Sequence, residues 1–537
     1  MGGKSMRVIG HFEQQAIDRL WQQRTGLPLL ILMENAAAAV VKRSREMVDP
    51  AATVLVLAGK GNNGGDAFAS ARLLAAAGYR VVCRELFPDA PRLYEVEANR
   101  QAYLGLGHEI TPLTAGDFDR METGSLIIDG IFGTGFRADR PFPEPVRQAS
   151  LLTAAARQRG ALVLAIDIPS GVDADSGHAV DAAFCADVTV TFCHNKIGLC
   201  GAPGRFLAGR VLVEPIGVPK SWIDDLPEAI GLESGVRRTY QTDVDDVRAV
   251  RPVRAADSHK GHFGRVLVLG GSPGMPGAVL LAATAAARSG AGLVDVAVPE
   301  TIAATVLAAR PECLLHTLPE GKFQSPEQQT GFFSQMETLL RSASAVVAGM
   351  GAGQSEWLRS ALPQMISGAG QLILDADALN QIARDPDCYF GLLRERAAKG
   401  LAPAILTPHP GEFGRLLPDC CLNDRQEAAR TLSAACSSVV VLKGAATVVA
   451  EPGGTAWINP TGNHGLAKGG SGDVLAGLIA GLLAQGPATA EAAVAAVYLH
   501  GLAADLAASR MGHRTILAGD VINAMGDALR QVGWEPS

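Results

Sequence analysis

TVLVLAGKGNNGGDAFASARLLAAAG, residues 53–78, opens on an apolar run, turns through glycine and asparagine, and continues as an alanine-rich stretch. RVLVLGGSPGMPGAVLLAATAAARSGAG, residues 265–292, is written in the same style. Each reads as the strand–loop–helix opening of a parallel α/β unit. Later apolar runs, in LIIDGIFGTG, ALVLAIDIPSG, SAVVAGMGAG, QLILDADAL and AILTPHPGEF, end in Gly, Asp or His. Apolar runs without alternation suit strands buried on both faces. The fold class is therefore α/β, with one domain begun by each glycine loop.

Length agrees, since 537 residues exceed the roughly 250–300 at which a single core stops growing. Residues 217–246, GVPKSWIDDLPEAIGLESGVRRTYQTDVDD, are polar, acidic and without a sustained period, which suits a connector. The join is expected near residues 220–240, giving a first domain over 1–225, a linker over 226–240 and a second domain over 241–537.

Hydrophobic residues at 48% and charged residues at 19% describe a globular chain, and a net charge of −7 without a basic stripe argues against a nucleic-acid partner. The nine cysteines, among them Cys83, Cys185, Cys193, Cys200 and the neighbours Cys420 and Cys421, lack metal-ligand spacing and read as reduced thiols of a cytoplasmic protein. MGGKSMRVIGHFEQQ has no signal-peptide apolar core, Ser5 is out of register for myristoylation, and the apolar stretches near 278–298 and 474–484 are interrupted or short. No membrane association is expected.

The loop GKGNNGGDAF departs from both the dinucleotide fingerprint and the phosphate-binding P-loop. Its company is more informative. Asp129, the GTGF loop from Gly133 to Phe136, Asp167 and Ser170 all follow apolar strands, and parallel strand ends share one edge of a sheet. Asn63, Asp129 and Ser170 offer oxygen donors that suit a hard cation. Taken singly, each is as well explained as a helix cap or turn residue.

NNGGD, DGIFGTG and DIPSGVDADSG together resemble the epimerase domain of the bifunctional NAD(P)H-hydrate repair enzymes over nearly all of the first 215 residues. The resemblance implies a Rossmann-like three-layer sandwich. It implies dinucleotide contacts at Asn62, Asn63, Gly64, Gly65 and Asp66, at Gly133, Thr134, Gly135, Phe136, Arg137, Ala138 and Asp139, and at Asp167. It further implies a potassium ion on Asn63, Asp129 and Ser170. Ala67 stands where glycine is common, a small helix-favouring change.

In the second half, SHKGHFGRVLVLGGSPGMPGA, GMGAG, LTPHPGEFGRLL, LKGAATVV and GNHGLAKGGSGDVLAG occur in that order. They resemble the dehydratase domain of the same family, a ribokinase-like three-layer sandwich, from about Val244 onward. In a G-x-G-D turn, backbone N–H groups at a helix start face the transferring phosphate, here from Gly470, Ser471 and Gly472, while Asp473 takes the proton of the attacking hydroxyl. The resemblance implies nucleotide contacts at Lys443, Gly444, Ala445, Ala446, Thr447 and Gly472, and contacts to the hydrated dinucleotide at Ala278, Gly353, His409 and Asp473. Magnesium would accompany the nucleotide.

His409 lies between Pro408 and Pro410, which restrict it and favour ligand contact over a structural role. Lys260 could equally be a solvated loop lysine. His464 replaces a proline common in the GNPG turn. The implied activity interconverts the R and S forms of hydrated NADH and NADPH (NADHX and NADPHX), then dehydrates the S form at the expense of ADP, giving AMP and phosphate. A homo-oligomer is expected. Two rivals are a vitamin kinase built on the same G-x-G-D turn and a scaffold whose first domain is catalytically silent; LTPHPGEF speaks against the former and the retained acids against the latter.

Overall fold

The structure, a computed structural model, describes residues 6–224 and 237–535. The chain divides into two compact units, Arg7–Val236 and Arg237–Ser537, the latter grouped with Met1–Met6. Residues 225–236, which hold most of the expected connector, lie outside the described residues. The end of the expected linker instead enters a strand, Thr239–Gln241, paired with Ala456–Ile458, and Tyr240 stacks on Trp457.

In the first unit a seven-stranded sheet runs, in spatial order, Ile110–Pro112, Arg80–Glu85, Thr53–Ala58, Leu126–Gly130, Leu162–Ile166, Val188–Phe192 and Arg210–Glu214. Every neighbouring pair is parallel. Alternate residues of the strand at 53–58 serve opposite faces: Val54 and Val56 pack with Phe68 and Ala71, Leu55 and Leu57 with Val146 and Ala149. An apolar run without alternation thus fills two cores at once, with helices on both faces.

The sheet of the second unit runs Thr239–Gln241, Ala456–Ile458, Val448–Ala450, Val439–Leu442, Ile405–Leu406, Gln371–Leu374, Ala345–Ala348, Arg265–Leu269, Leu293–Pro299 and Leu314–Leu318. It is parallel except where Val448–Ala450 runs against both of its neighbours. Val266 and Val268 face helices Pro276–Arg288, Ser471–Leu483 and Thr489–Met511, while Leu267 and Leu269 face Pro326–Ser342 and Glu356–Gly368. Among the described residues Thr489–Met511 alone is long and apolar enough to cross a bilayer, and 78% of its apolar window is buried.

Helices Pro276–Arg288 and Ser471–Leu483 approach closely because the second presents glycine to the first. A Cβ on Gly477 would lie 2.1 Å from the Ala282 carbonyl oxygen, and one on Gly481 would lie 1.8 Å from Ser289 Oγ. This packing fixes the helix whose first turn carries Asp473. Gly477→Ala should therefore destabilise the second unit by about 1–3 kcal/mol through overpacking, although alanine raises helix propensity by about 1 kcal/mol. Urea unfolding followed by circular dichroism measures the sign, and a neutral or stabilising result would contradict the packing described.

Candidate active sites

In each sheet the strand order reverses beside the strand that leads into the unit's first glycine loop, and there the following loops part to leave a crevice at the C-terminal edge. In the first unit the reversal lies between strands 53–58 and 126–130. A Cβ on Gly59 would meet the Ile131 carbonyl at 1.9 Å, so the two loops touch at their roots. Beyond them a cavity of about 570 Å³ opens.

Asn62, Asn63, Asp66, Gly133, Thr134, Gly135, Phe136, Arg137 and Asp167 all line it. Gly64 and Gly65 do not. Their missing side chains allow the helix to pack, since a Cβ would lie 2.0 Å from the Gly59 carbonyl oxygen in one case and 2.5 Å from Met33 Cε in the other. The Ala138 N–H donates to Asp173 Oδ2 at 3.2 Å, and Asp139 is exposed. Arg137 is committed to an ion pair with Asp175.

The three proposed cation ligands are brought together around the backbone of Phe132. Asn63 Nδ2 donates to the Phe132 carbonyl at 2.9 Å, and the Phe132 N–H donates to Ser170 Oγ at 2.9 Å. Ser170 Oγ donates to Asp129 Oδ1 at 2.6 Å, and its N–H to Asp129 Oδ2 at 2.8 Å. Asp129 is wholly buried, and burial pushes its carboxyl up to about 6 against those hydrogen bonds. Asn63 Oδ1 is buried with no hydrogen-bond partner. An unpartnered amide oxygen beside a carboxylate and a hydroxyl fits a hard cation.

In the second unit the reversal lies between strands 265–269 and 345–348. Gly351 adopts φ +61°, and a Cβ on it would meet Ala278 Cβ at 3.0 Å; Gly353, at φ +62°, donates its N–H to Asp377 Oδ2 at 2.7 Å. Ala278 and Gly353 therefore border one crevice. Lys443 follows strand Val439–Leu442 and opens a tight hairpin in which Gly444 and Ala446 both have positive φ and Thr447 Oγ1 donates to the Gly444 carbonyl at 2.9 Å. Lys443 Nζ is 2.7 Å from Asp375 Oδ1 and 3.8 Å from Glu412 Oε2. Burial works against its charge, but Asp375 and Glu412 outweigh it and hold the ammonium above the usual range.

The glycine-rich turn reaches the same place. Gly470 has φ +92°, where an added Cβ would press on Leu281 Cδ1 at 2.6 Å, and a Cβ on Gly472 would lie 3.2 Å from Lys443 Nζ. Backbone, ammonium and open space thus meet at the start of helix Ser471–Leu483, whose first-turn N–H groups have no intrahelical acceptors. Asp473 lies in that turn. Burial, then Asp375, pushes its carboxyl up to about 6, with Lys443 pulling the other way.

His409 caps helix Pro410–Leu416: its Nδ1 accepts from the N–H groups of Gly411 at 3.0 Å and Glu412 at 3.3 Å. That fixes the ring and leaves Nε2 3.4 Å from Glu412 Oε1. His464 stacks on His513. Lys260 belongs to a short 3₁₀ turn before strand 265–269, at the N-terminal edge and away from the crevice. The sequence reading did not single out Asp375, Asp377, Glu412, Asp18 or Lys196. The first two were legible as acids ending an apolar strand; Lys196 and Asp18 carry no local signal.

Comparison with known proteins gives the family of each unit. Residues 29–198 match the family described as YjeF-related protein N-terminus, and residues 266–525 match the family described as NAD(P)H-hydrate dehydratase. The chain is 35% identical to the bifunctional NAD(P)H-hydrate repair enzyme Nnr of Moorella thermoacetica, over 99% of this chain and 98% of the relative. It is 36% identical to the protein of the same name from Escherichia coli, over 96% and 91%. Among solved structures, the ADP/ATP-dependent NAD(P)H-hydrate dehydratase of Bacillus subtilis is 33% identical over 54% of this chain and 97% of its own, with a TM-score of 0.44.

The environment of Asp473 predicts a stability cost. A carboxyl that binds its proton more tightly folded than unfolded contributes stability at low pH, and that contribution is lost as the pH rises from about 4 to about 6. Asn has no charge to bury. Asp473→Asn should match the wild type at about pH 4 and exceed it at about pH 8 by on the order of 1–3 kcal/mol. Urea unfolding at the two pH values checks this; equal stability at about pH 8 would contradict the burial argument.

Proposed function

This chain belongs to the bifunctional NAD(P)H-hydrate repair family, epimerising hydrated NADH and NADPH and dehydrating them, and from that membership we propose how its residues divide the work. The first unit, proposed to begin at the N-terminus and end near residue 225, holds the hydrated dinucleotide in the cavity beside strand 53–58. The second, proposed from about residue 241, removes water using ADP. One observation carries the dehydratase assignment: Gly472, Lys443 and Asp473 meet at a helix start, where a phosphate would lie against N–H groups and an ammonium with a carboxylate beside it.

Hydroxide leaves poorly and phosphate leaves well. Asp473 takes the proton of the substrate hydroxyl as its oxygen attacks the terminal phosphorus of ADP, and AMP departs. The phosphorylated carbon next to the ring nitrogen then loses phosphate, the nitrogen lone pair drives the cleavage, and loss of a neighbouring proton restores the dihydronicotinamide. The hairpin from Lys443 to Thr447 and Gly472 hold the nucleotide; Ala278, Gly353 and the His409 ring face the dinucleotide. Magnesium on the nucleotide phosphates would neutralise charge developing in the transfer.

Potassium on Asn63, Asp129 and Ser170 would supply a fixed positive charge near the dinucleotide phosphates, and the unpartnered Asn63 Oδ1 supports that reading. The net charge and the free cysteines support a cytoplasmic enzyme without nucleic-acid or membrane partners. A homo-oligomer belongs to the same reading, and light scattering tests it.

Pure protein incubated with hydrated NADH and ADP should restore the absorbance of NADH, and do so faster than with ATP. Asp473→Asn should slow this by about 10²–10⁴-fold with ADP still bound. Near-wild-type turnover by that variant would overturn the assignment of the base. Separately, epimerisation should be faster in potassium than in tetramethylammonium buffer, and Asp129→Ala should remove the difference while leaving dehydration of the S form unchanged. Equal rates in both buffers for the wild type would remove the ion from the reading.

A further inference from the structure

Epimerisation, on the reading above, needs a proton given to a hydroxyl leaving one face of the ring carbon and another taken from water arriving on the opposite face. Four carboxyl groups line the first-unit cavity: Asp18 on helix His11–Thr25, Asp66 on helix Asn62–Ala76, Asp167 just after strand Leu162–Ile166, and the half-buried Glu95 in the first turn of helix Tyr94–Gly105. Their surroundings differ. Asp167, held at φ +63°, accepts from Thr191 Oγ1 at 3.0 Å and lies 3.1 Å from the wholly buried ammonium of Lys196.

Lys196 Nζ donates its three protons to Thr191 Oγ1, the Phe192 carbonyl and the His194 carbonyl, at 2.9–3.0 Å, so its charge is fixed beside Asp167. Among the described residues no side-chain hydrogen bond reaches the carboxyl of Asp66, and Asp18 has one, from Gln14 Nε2 at 3.0 Å. Burial, then Asp167 and Asp18, hold Asp66 well above the usual carboxyl range, and burial brings Asp18 up to about 6. Three unpartnered polar atoms, His11 Nδ1, Gln14 Oε1 and the nine-tenths-buried Asn63 Oδ1, belong to the same lining, as expected of a cavity built for a polar ligand.

We propose that Asp66 is the acid and Asp167 the base of the epimerase, with Asp18 a positioning residue that couples the two. Carboxyls in one cavity whose environments differ this much hold an acid and a base together. The Asp66 proton goes to the leaving hydroxyl, and the carbon–oxygen bond breaks with its electron pair on the departing water. The ring-nitrogen lone pair forms a double bond to the carbon. Water then bonds to the opposite face, the pair returns to nitrogen, and the released proton goes to Asp167. The substrate keeps its composition. The enzyme ends with its proton on Asp167, ready for the reverse reaction or for exchange with solvent, and Asp18, electrostatically linked to both carboxyls, biases where the proton rests.

The test uses the full-length chain without ADP, which leaves the dehydratase silent, and follows the R form of hydrated NADH converting to the S form by chromatography. Asp66→Asn should lower kcat by about 10²–10⁴-fold while the Kd for the dinucleotide changes by less than about threefold. Asp18→Asn should lower kcat without raising KM, and Asp18→Glu should recover most of the loss. Retained dinucleotide binding and a two-step urea unfolding curve matching that of the wild type verify that the first unit of each variant is folded. In oxygen-18 water the wild type should incorporate one solvent oxygen per epimerisation, a result that does not depend on any variant. A wild type that does not accelerate epimerisation overturns the functional reading itself. An active wild type that incorporates no solvent oxygen, or Asp66→Asn turning over within twofold of it, overturns only the acid–base assignment.

Discussion

The constraint on which both sites depend is the handedness of parallel strand connections. A crossover between parallel strands is right-handed, so a sheet that grows from its first strand in both directions must send helices to opposite faces. Where the direction reverses, neighbouring loops leave the sheet edge on opposite sides and a crevice remains between them. In the first unit this parts the loops after Ala58 and Gly130; in the second it parts those after Leu269 and Ala348. The acids sit at these edges because only there does a continuous apolar strand give way to groups that need water or a ligand.

Burying acids at such edges requires counter-charge, and the two units supply it in similar ways. Lys196 in the first and Lys443 in the second are buried lysines paired to a carboxylate beyond a strand end. In neither case does one ammonium balance all the acids nearby. Asp66 and Asp18 in the first, and Asp473 in the second, are left in surroundings that favour the proton. The shortfall of positive charge is what gives each cavity groups able to exchange a proton near neutrality.

Much of this was legible in the sequence because its signals are local. Apolar runs such as LIIDG and LVLAI occupy the strands expected of them, and the glycine loops open the helices that follow. Asn63, Asp129 and Ser170 could be grouped because each lies at or beyond the C-terminal end of a strand on one sheet edge. Gly64 and Gly65 show the limit of motif reading: they belong to NNGGD but serve packing against Gly59 and Met33. His409 acts as a helix cap as well as a candidate contact, a role its flanking prolines do not announce. Lys196 and Asp18 were invisible because their importance comes from meeting Asp167 across long sequence separations.

Strain and charge fall in the same places. Of the five non-glycine residues with positive φ among those described, Asp167 and Cys193 border the first site, Ala376, between Asp375 and Asp377, and Ala446, in the Lys443 hairpin, border the second, and the fifth, Ser437, ends helix Arg425–Cys436. Such backbone costs about 1–3 kcal/mol per residue and persists only where the surroundings over-determine it. Those surroundings are the packed layers behind each edge, including the glycine-mediated contact of helices 276–288 and 471–483. Removing a buried acid should therefore relieve the fold while disabling the chemistry, and loosening the helix contact should do the reverse, weakening the fold first and the site through it. The two kinds of substitution separate what the core supplies from what the crevice uses.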